Sequence, residues 1–334
     1  AGYNNNPVIN QMKNYGIPVK CIGPESKKDA LLHHIATLKR YVKEISNNEE
    51  TVCNLHLKLS VLMGALATRG LRNAKCIETY HNTYHHYHLQ CWGLRPFIEK
   101  YICVSETARE EMHRRFHISN KNLIAIPNGV PRKRIRQIAE IDKMFNNSDQ
   151  TLKIVSVGRL SYEKNFIIPV QALVKICNDK VSYTLVGGGP QEEEIKSIAK
   201  ANPYIKLLGA QSRENALKEL AKANICIMPS LWEGRSILQL EAMALDKPLI
   251  LSDVPGLREP FDEPPLKKDE VFRVCKFGYL VRTNDLRSYQ MSIEHFMKND
   301  HRNMHKYVRK VSEKNDMTIV AKRYIHEYKE IWKK

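Results

Sequence analysis

The sequence lacks long apolar runs: it has no stretch of about 18 consecutive apolar residues. A helix that crosses a membrane needs roughly 20 such residues, so we expect no transmembrane segment. The first residues also lack the features of a secretion signal. We therefore expect a cytoplasmic protein, with peripheral attachment to the inner face of a membrane as a second option.

The cysteines lack the spacing of a zinc or disulfide site. None of the eight forms a C-x-x-C pair, and most lie within apolar runs: Cys21, Cys53, Cys76, Cys91, Cys103, Cys177, Cys226 and Cys275. Dispersed thiols in apolar segments are typical of reduced, buried cysteines. We therefore predict neither a disulfide framework nor a structural zinc ion.

Negative charge is scarce relative to positive charge. The chain carries 53 Lys and Arg against 36 Asp and Glu, a formal net charge of +17. Both halves share the excess, which is densest after residue 300. Such a charge favours anionic partners, including nucleic acid, phospholipid headgroups and diphosphates, but selects none of them.

The length of 334 residues predicts two domains of about 150 residues each. Predicted strands begin at Val19, Thr51, Ala74, Tyr101, Leu123, Leu152, Ser182, Ile205, Ile225, Pro248 and Gly278. Amphipathic stretches between them predict helices over residues 30–45, 59–69, 106–116, 168–178, 191–201, 215–223, 236–245 and 286–299. This alternation predicts two doubly wound, Rossmann-like α/β domains with parallel sheets.

The predicted domains cover residues 1–148 and 149–316, divided within the polar stretch MFNNSDQT that starts at Met144. Residues 317–334 form a basic and aromatic helix, which we expect to cross back to the first domain. The chain opens on a helical stretch, although a doubly wound sheet normally begins with a strand. We therefore expect the first N-terminal strand to be missing.

One stretch concentrates polar groups: residues 229–241, PSLWEGRSILQLE, follow the predicted strand ICIM. Ser236 and Gln239 have the spacing of a capping box, which predicts a helix start at Ser236. Glu233 then lies on the preceding loop and Glu241 inside the helix. A helix N-terminus offers N–H groups to an anion, and carboxylates accept hydrogen bonds from hydroxyls. A phosphorylated sugar presents both kinds of group.

Further polar residues follow other predicted strands. They are Arg159 and Lys164, residues 187–190 (GGGP), His81, and residues 127–130 (PNGV). Ligands of open α/β sheets bind beyond the carboxyl ends of the strands. These positions are therefore candidates for one ligand site.

Together these residues resemble a known family. The segments VGRLSYEKN, VGGGP, MPSLWEGRSILQLEAMA and IPNGV, with His81 at a strand end, have the order and intervals of the retaining glycosyltransferases of family 4. The resemblance covers nearly the whole chain, and the E-x7-E stretch with its Arg and Lys is the specific part. It implies the GT-B fold, in which two Rossmann-like domains face a cleft. The first binds the acceptor and the second a nucleotide-diphosphate sugar.

The resemblance also implies site residues. Donor contacts would come from Arg159, Lys164, Glu241, the backbone amides of Gly234, Arg235, Ser236 and Ile237, and the glycines Gly188 and Gly2. The catalytic residues would be Glu233, His81, Arg159 and Lys164. The two cations would hold the diphosphate and Glu241 the ribose, while Glu233 and His81 would meet the transferred sugar. Fixed cations and a helix N-terminus stabilise the charge of a leaving diphosphate.

No D-x-D triplet occurs, so the metal clamp of other transferases is missing and we expect neither a metal nor a cofactor. The donor is expected to be a UDP- or GDP-sugar. Two features depart from the family. Arg235 and Ser236 follow Glu-Gly where relatives often carry an aromatic or aliphatic residue and then Gly or Pro. The first glycine-rich loop is reduced to Ala1 and Gly2.

Several residues have structural alternatives. Two glutamates alone are typical of a solvated helix start, and residues 187–189 serve a turn as well as a ligand. His85, His86 and His88 near His81 suggest a metal, but no Cys or carboxylate completes four ligands. The basic segment PRKRIR and the C-terminal helix fit an anionic membrane surface or simple solvation. No nucleic-acid-binding motif accompanies them, so we expect no nucleic-acid partner.

We thus expect a retaining, metal-independent hexosyltransferase acting on a polysaccharide or a lipid-linked oligosaccharide in surface glycan synthesis. Two alternatives stay open. A sugar-nucleotide epimerase can use the same fold, and a basic module can bind anionic polymers without catalysis.

Overall fold

The structure is a computed structural model that describes residues 31–81, 88–140 and 151–333, with residues 12, 16, 18 and 19 besides. Gly2, His85, His86 and nearly all of the strand predicted from Val19 lie outside these ranges. The chain divides into two compact units. Unit 1 comprises Ala1–Cys103, Arg109–Ala125 and His326–Lys334, and unit 2 comprises Val104–Ala108 and Ile126–Ile325. The predicted boundary at residue 148 lies outside the described ranges.

Unit 1 contains a parallel four-stranded sheet in the order β1-β2-β3-β4. The strands are β1 (Thr51–His56), β2 (Ala74–Tyr80), β3 (Lys100–Cys103) and β4 (Leu123–Ala125). Their positions confirm the four predictions made from the apolar runs in this part of the chain. The last residue of β1, His56, lies opposite Thr79 of β2. The two strands therefore end side by side.

Helices accompany these strands: α1 (Leu31–Ile45), α2 (Lys58–Thr68), α3 (His88–Leu94) and α4 (Glu106–Phe116). α2 is the crossover between β1 and β2, as parallel strands require. Gly64 allows α2 to pack against β1, because a Cβ atom at this position would lie 2.3 Å from Cδ2 of Leu55.

The end of the C-terminal helix belongs to unit 1. Lys100 of β3 forms an ion pair with the buried Glu327. Asn54 donates a hydrogen bond to the Tyr328 hydroxyl over 2.7 Å, and the Lys75 ammonium lies 4.6 Å from the Trp332 ring centre. Acidic and aromatic residues at this end of the chain therefore contribute to packing within unit 1.

Unit 2 contains a seven-stranded sheet in the order β10-β11-β9-β8-β5-β6-β7. Its strands are β5 (Leu152–Val157), β6 (Val181–Val186), β7 (Ile205–Leu207), β8 (Ile225–Met228), β9 (Leu249–Ser252), β10 (Phe272–Cys275) and β11 (Gly278–Val281). All pairs are parallel except β10 with β11. The sequence did not predict β10, an edge strand whose Arg273 and exposed Val274 obscure the apolar pattern.

The sheet of unit 2 is covered on both faces. Alternate residues of β8 belong to different cores: Ile225 and Ile227 join one cluster, and Cys226 and Met228 join the other. Because side chains alternate along a strand, the two clusters lie on opposite faces. This double burial explains why ICIM reads as a continuous apolar run.

The helices of this part of the chain are α5 (Arg132–Ile138), α6 (Ile167–Val174), α7 (Glu192–Ala199), α8 (Arg213–Lys222), α9 (Ile237–Ala244), α10 (Pro255–Arg258), α11 (Leu286–Lys298), α12 (Arg302–Lys314) and α13 (Met317–Glu330). The sequence did not predict α12, which buries only Met304, Val308 and Ser312 along one face of a largely polar helix. Among the described residues, no helix is long and apolar enough to span a membrane.

Candidate functional site

The predicted donor residues of unit 2 lie at one edge of its sheet. β5, β6 and β8 are neighbours and run parallel, so their carboxyl ends meet at the same edge. Arg159 and Lys164 follow β5, Gly188 follows β6, and residues 229–241 follow β8. The tertiary structure thus brings together segments that are far apart in sequence.

Glu233 forms an ion pair with Lys164, with 2.5 Å between Oε2 and Nζ. Lys164 ends the 3-10 turn Tyr162–Lys164, and this turn is fixed to the loop of Glu233 by a hydrogen bond from the Leu231 N–H to the Glu163 carbonyl (2.8 Å). Ser230 also donates to Glu233 over 3.4 Å. Glu233 is thus held in place by two of its neighbours.

The helix that follows Glu233 begins as predicted, at Ser236. The Ser236 hydroxyl accepts a hydrogen bond from the Gln239 N–H, as an N-cap does. The other half of the predicted capping box is wrong, because the Gln239 side chain donates to the Leu257 carbonyl (2.7 Å) instead of returning to Ser236. Gln239 is fully buried and cannot reach solvent at the helix start.

Glu241, inside this helix, is buried and pairs with Arg213 at the start of α8. Arg213 Nε and Nη2 lie 2.9 and 2.6 Å from Oε1 of Glu241. Burial raises the pKa of Glu241, and the charge and hydrogen bond of Arg213 oppose that rise. The sequence interpretation missed Arg213. Its only local signal is its place beside the helix cap Ser212, after a strand exit.

The glycine-rich loop after β6 packs on the loop after β5. A Cβ atom at Gly187 would lie 1.8 Å from the Gly158 carbonyl oxygen, and one at Gly189 would lie 2.5 Å from the Leu160 carbonyl oxygen. Both glycines have positive φ angles. These two glycines are therefore required by backbone packing, whereas the Gly188 carbonyl accepts the Leu160 N–H over 3.0 Å.

Arg159 and Arg235 differ in their environments. The Arg159 side chain is exposed, two residues after the end of β5. Arg235 is buried, and its Nη2 donates to Asn315 Oδ1 over 2.9 Å. Burial lowers the pKa of Arg235 to about 10. Its side chain therefore contacts the α12–α13 junction, and only the backbone of this residue is free to serve the predicted donor contact.

At the carboxyl ends of β1 and β2, unit 1 holds two histidines in contact. His56 Nδ1 and His81 Nε2 are 2.7 Å apart, and the two rings meet edge to edge with an interplanar angle of 28° and centroids 5.1 Å apart. Loss of hydration lowers the pKa of both residues, and the charge of His56 lowers that of His81 further. Sequence reasoning named His81 but missed His56, which ends the predicted strand TVCNLH.

The chain matches two protein-family models. The model "Glycosyl transferases group 1" matches residues 137–314, and the model "Glycosyltransferase Family 4" matches residues 10–134. Together they cover both halves of the chain. The family that the E-x7-E stretch and its partners resemble is thereby confirmed.

Curated relatives match over part of their length. The gpi3 subunit of the Schizosaccharomyces pombe phosphatidylinositol N-acetylglucosaminyltransferase is 26% identical over 163 residues, 47% of this chain and 35% of that protein. A Mycobacterium tuberculosis GDP-mannose-dependent alpha-(1-6)-phosphatidylinositol dimannoside mannosyltransferase is 30% identical over 163 residues, 47% of this chain and 42% of that protein. The chain thus matches less than half of either relative.

Solved structures share the fold over nearly the whole chain. HepE of Anabaena, solved in complex with UDP and glucose, has a TM-score of 0.74 and 15% sequence identity, covering 97% of this chain and 89% of its own. At that identity the likeness establishes the GT-B fold alone. The model "Glycosyl transferases group 1" matches more than half of this chain, which therefore belongs to the glycosyl transferases group 1 family.

Proposed function

We propose that this protein is a retaining glycosyltransferase that moves a hexose from a nucleotide-diphosphate sugar to a polysaccharide or a lipid-linked oligosaccharide in surface glycan synthesis. The pairing of both glutamates of the E-x7-E stretch with cations at one strand edge supports this function above all. Phosphatidylinositol in the names of the two curated relatives supports a lipid-linked acceptor. The complex of Anabaena HepE with UDP and glucose supports a nucleotide-sugar donor.

In this proposal the donor diphosphate binds between Arg159, Lys164 and the N-terminus of α9. The phosphate oxygens compete with Glu233 for the Lys164 ammonium, and Glu233 then accepts hydrogen bonds from the sugar hydroxyls. Glu241, kept ionised by Arg213, accepts hydrogen bonds from the ribose. Each carboxylate thus has a cation in the free protein and a hydroxyl-bearing ligand in the complex.

The proposed reaction is a front-face substitution without a metal ion. The bond between the anomeric carbon and the diphosphate oxygen breaks, and the acceptor oxygen forms a new bond on the same face. The acceptor proton passes to the departing diphosphate. Arg159, Lys164 and the α9 N-terminus stabilise its charge, each contribution being worth roughly 3–4 kcal/mol in comparable sites. Double displacement through a carboxylate is the rival pathway.

Calorimetry with UDP-, GDP- and ADP-sugars, followed by transfer assays with the sugar that binds, tests the proposal. Glu241→Ala should weaken binding of the nucleotide sugar. Glu233→Ala should leave free-nucleotide binding intact and abolish transfer. Equal turnover by the wild type and Glu233→Ala would overturn the assignment. The anomeric configuration of the product, determined by NMR, separates retention from inversion, and turnover in a chelator tests metal independence.

The two alternatives make opposite predictions. An epimerase would convert the donor with no acceptor present, so incubation of the donor alone followed by sugar analysis identifies it. A binding module for anionic polymers would bind DNA or RNA tightly at 150 mM salt and no sugar nucleotide.

Peripheral membrane contact is part of the proposal, because phospholipid headgroups attract cationic surfaces. Two arginines of PRKRIR are already engaged: Arg136 lies 2.8 Å from Asp246, and Arg132 lies 3.6 Å from it. This segment therefore presents a smaller free basic surface than its sequence indicates, although Lys133 is exposed. Sedimentation with anionic and with neutral vesicles measures the contact.

A further inference from the structure

His56 lies beside the predicted catalytic residue His81, at the carboxyl ends of β1 and β2. The sequence motifs assigned it no function. His56 ends β1 and His81 directly follows β2, and these neighbouring parallel strands pair from Thr51 with Ala74 to His56 with Thr79. A separation of 2.7 Å between ring nitrogens is a hydrogen bond. The position of the His81 ring is therefore set by a neighbour on a rigid element.

We propose that His56 is a positioning residue for His81: its Nδ1 accepts the Nε2–H of His81, which leaves Nδ1 of His81 to accept a hydrogen bond from a hydroxyl of the donor sugar. This inference rests on the proposed function, in which His81 meets that sugar. The ligand class is a pyranose with a free hydroxyl, which serves as donor to an imidazole acceptor.

The direction of the hydrogen bond follows from tautomer chemistry. The bond joins Nδ1 of His56 to Nε2 of His81, so one of these nitrogens carries the hydrogen. If His81 donates, both neutral rings have their hydrogen on Nε2, the tautomer that histidine side chains prefer. If His56 donates, both rings must adopt the less favoured Nδ1–H form. Since the lowered pKa of both residues favours neutral rings, the first arrangement is the stable one.

The backbone beside His56 also fixes its place. Leu57 has a φ angle of 69°, a left-handed conformation that is rare for leucine, and it is exposed. Ser60 donates to the Leu57 carbonyl over 3.0 Å and so fastens the turn into α2. Non-glycine residues in this conformation occur where the surrounding structure holds the chain for a purpose. This turn therefore fixes the point at which the backbone leaves β1 after His56.

The first test is the ring-nitrogen spectrum of the 15N-histidine-labelled full chain, which needs neither donor nor acceptor. His81 should show a protonated Nε2 and an unprotonated Nδ1, and its signals, assigned through His81→Phe, should shift in His56→Phe. A protonated Nδ1 on His81 would overturn the proposal. So would His81 signals unchanged by His56→Phe.

The second test is transfer kinetics. His56→Phe keeps a ring but removes the acceptor, and kcat should fall about tenfold or more with nucleotide affinity unchanged, as for groups that orient a reacting residue. His56→Asn, whose side-chain oxygen can replace Nδ1, should recover most of the rate. His33→Phe is a matched control, because His33 is exposed and its ring lies edge-on to the ring of His34.

The outcomes separate this inference from the proposed function. If the wild type transfers no sugar, the proposed function fails, while the spectrum still decides the tautomer. If the wild type transfers sugar and His56→Phe does so at the same rate, the positioning role fails and the proposed function stands. Adding His56→Phe to His81→Phe should cause no further loss, because His56 acts only through His81.

Discussion

The two units carry different chemistry at the carboxyl ends of their strands. In unit 2 the polar side chains are ions in pairs: Lys164 with Glu233, and Arg213 with Glu241. In unit 1 two histidines, both with lowered pKa, share one hydrogen bond. The same type of parallel sheet thus presents fixed charges in one unit and nearly neutral rings in the other.

This difference indicates that the two units suit different chemical groups of a ligand. Partly buried carboxylates are stable as ions only when they have cations or hydrogen bonds, so unit 2 prepares its charges before a ligand arrives. In the proposed function, a diphosphate and a ribose exchange partners with these ions. Neutral histidines suit hydroxyl groups, which need donors and acceptors without net charge. In the proposed function, unit 2 therefore binds the phosphate and the ribose, and unit 1 a sugar hydroxyl.

The largest expected effect is that of Lys164→Ala. The change removes a cation from the proposed diphosphate site and leaves Glu233 without its ion-pair partner. Transfer should fall roughly 100- to 1,000-fold in kcat/KM for the donor. Lys175→Ala is the control, because Lys175 is an exposed lysine at the end of α6. This variant should transfer sugar at the rate of the wild type. Activity of Lys164→Ala within threefold of wild type would contradict the role of Lys164 in binding the diphosphate.

Gly256→Ala should have the next largest effect. A Cβ atom at this position would lie 2.0 Å from the Glu233 carbonyl oxygen and 2.6 Å from that of Gly234, so the loop must move. A displacement near 1 Å costs about 100-fold in rate at comparable sites. Gly93→Ala adds a Cβ with nothing within 4 Å and should be active. Transfer rates and thermal unfolding of both variants decide whether the loop, rather than general stability, is affected.

Arg213→Gln should weaken nucleotide binding by about tenfold, since Glu241 loses the group that orients it and keeps it ionised. Calorimetry with free nucleotide measures the effect. In a double-mutant cycle with Glu241→Gln, the two losses should not add, because the residues act as one unit. Lys218→Gln, on the same helix, removes an exposed ion pair with Glu140, and this variant should bind nucleotide normally. Additive losses would show that Arg213 and Glu241 act separately.

The smallest expected effect is a dependence of nucleotide affinity on pH. Burial raises the pKa of Glu241 above its ordinary value of 4.5. If the ionised carboxylate accepts the ribose hydrogen bonds, affinity is complete above the raised pKa and falls as the pH decreases through it. Arg213→Gln should move this decline to higher pH. Calorimetry with free nucleotide isolates unit 2, because that ligand lacks the sugar that His81 would meet. An affinity independent of pH down to 4.5 would contradict the role of Glu241.

Most of the fold was predictable because apolar periodicity reports burial directly. Strands β8 and β9 are buried along their whole length, and their apolar runs stand out in the sequence. The elements that the sequence did not predict are β10 and the helices α3, α5, α10 and α12. Of these, β10 buries only Cys275, and α12 buries three residues of a helix rich in charged ones. Elements on the outside of a domain leave the weakest apolar signal, so they are the ones that a sequence pattern fails to identify.

The candidate site was predictable in part. Glu233, Glu241, Arg159 and Lys164 could be found because they follow strands that meet at one edge. Arg213 and His56 were missed although both lie at strand ends, since nothing in their local sequence says which residue each one pairs with. Arg235 could be placed on the loop, but its burial against Asn315 depends on α12, a helix that the sequence did not reveal.

By itself, the sequence determined the order of strands and helices and the helix start beside Glu233, because these depend on local patterns of burial and on the capping group Ser236. Only the tertiary structure decided which charges meet. Lys164 and Glu233 are 69 residues apart, Arg213 and Glu241 are 28 apart, and His56 and His81 are 25 apart. The charge and hydrogen-bonding groups of a side chain determine which kind of partner it needs, but the packing of the strands decides which partner it reaches.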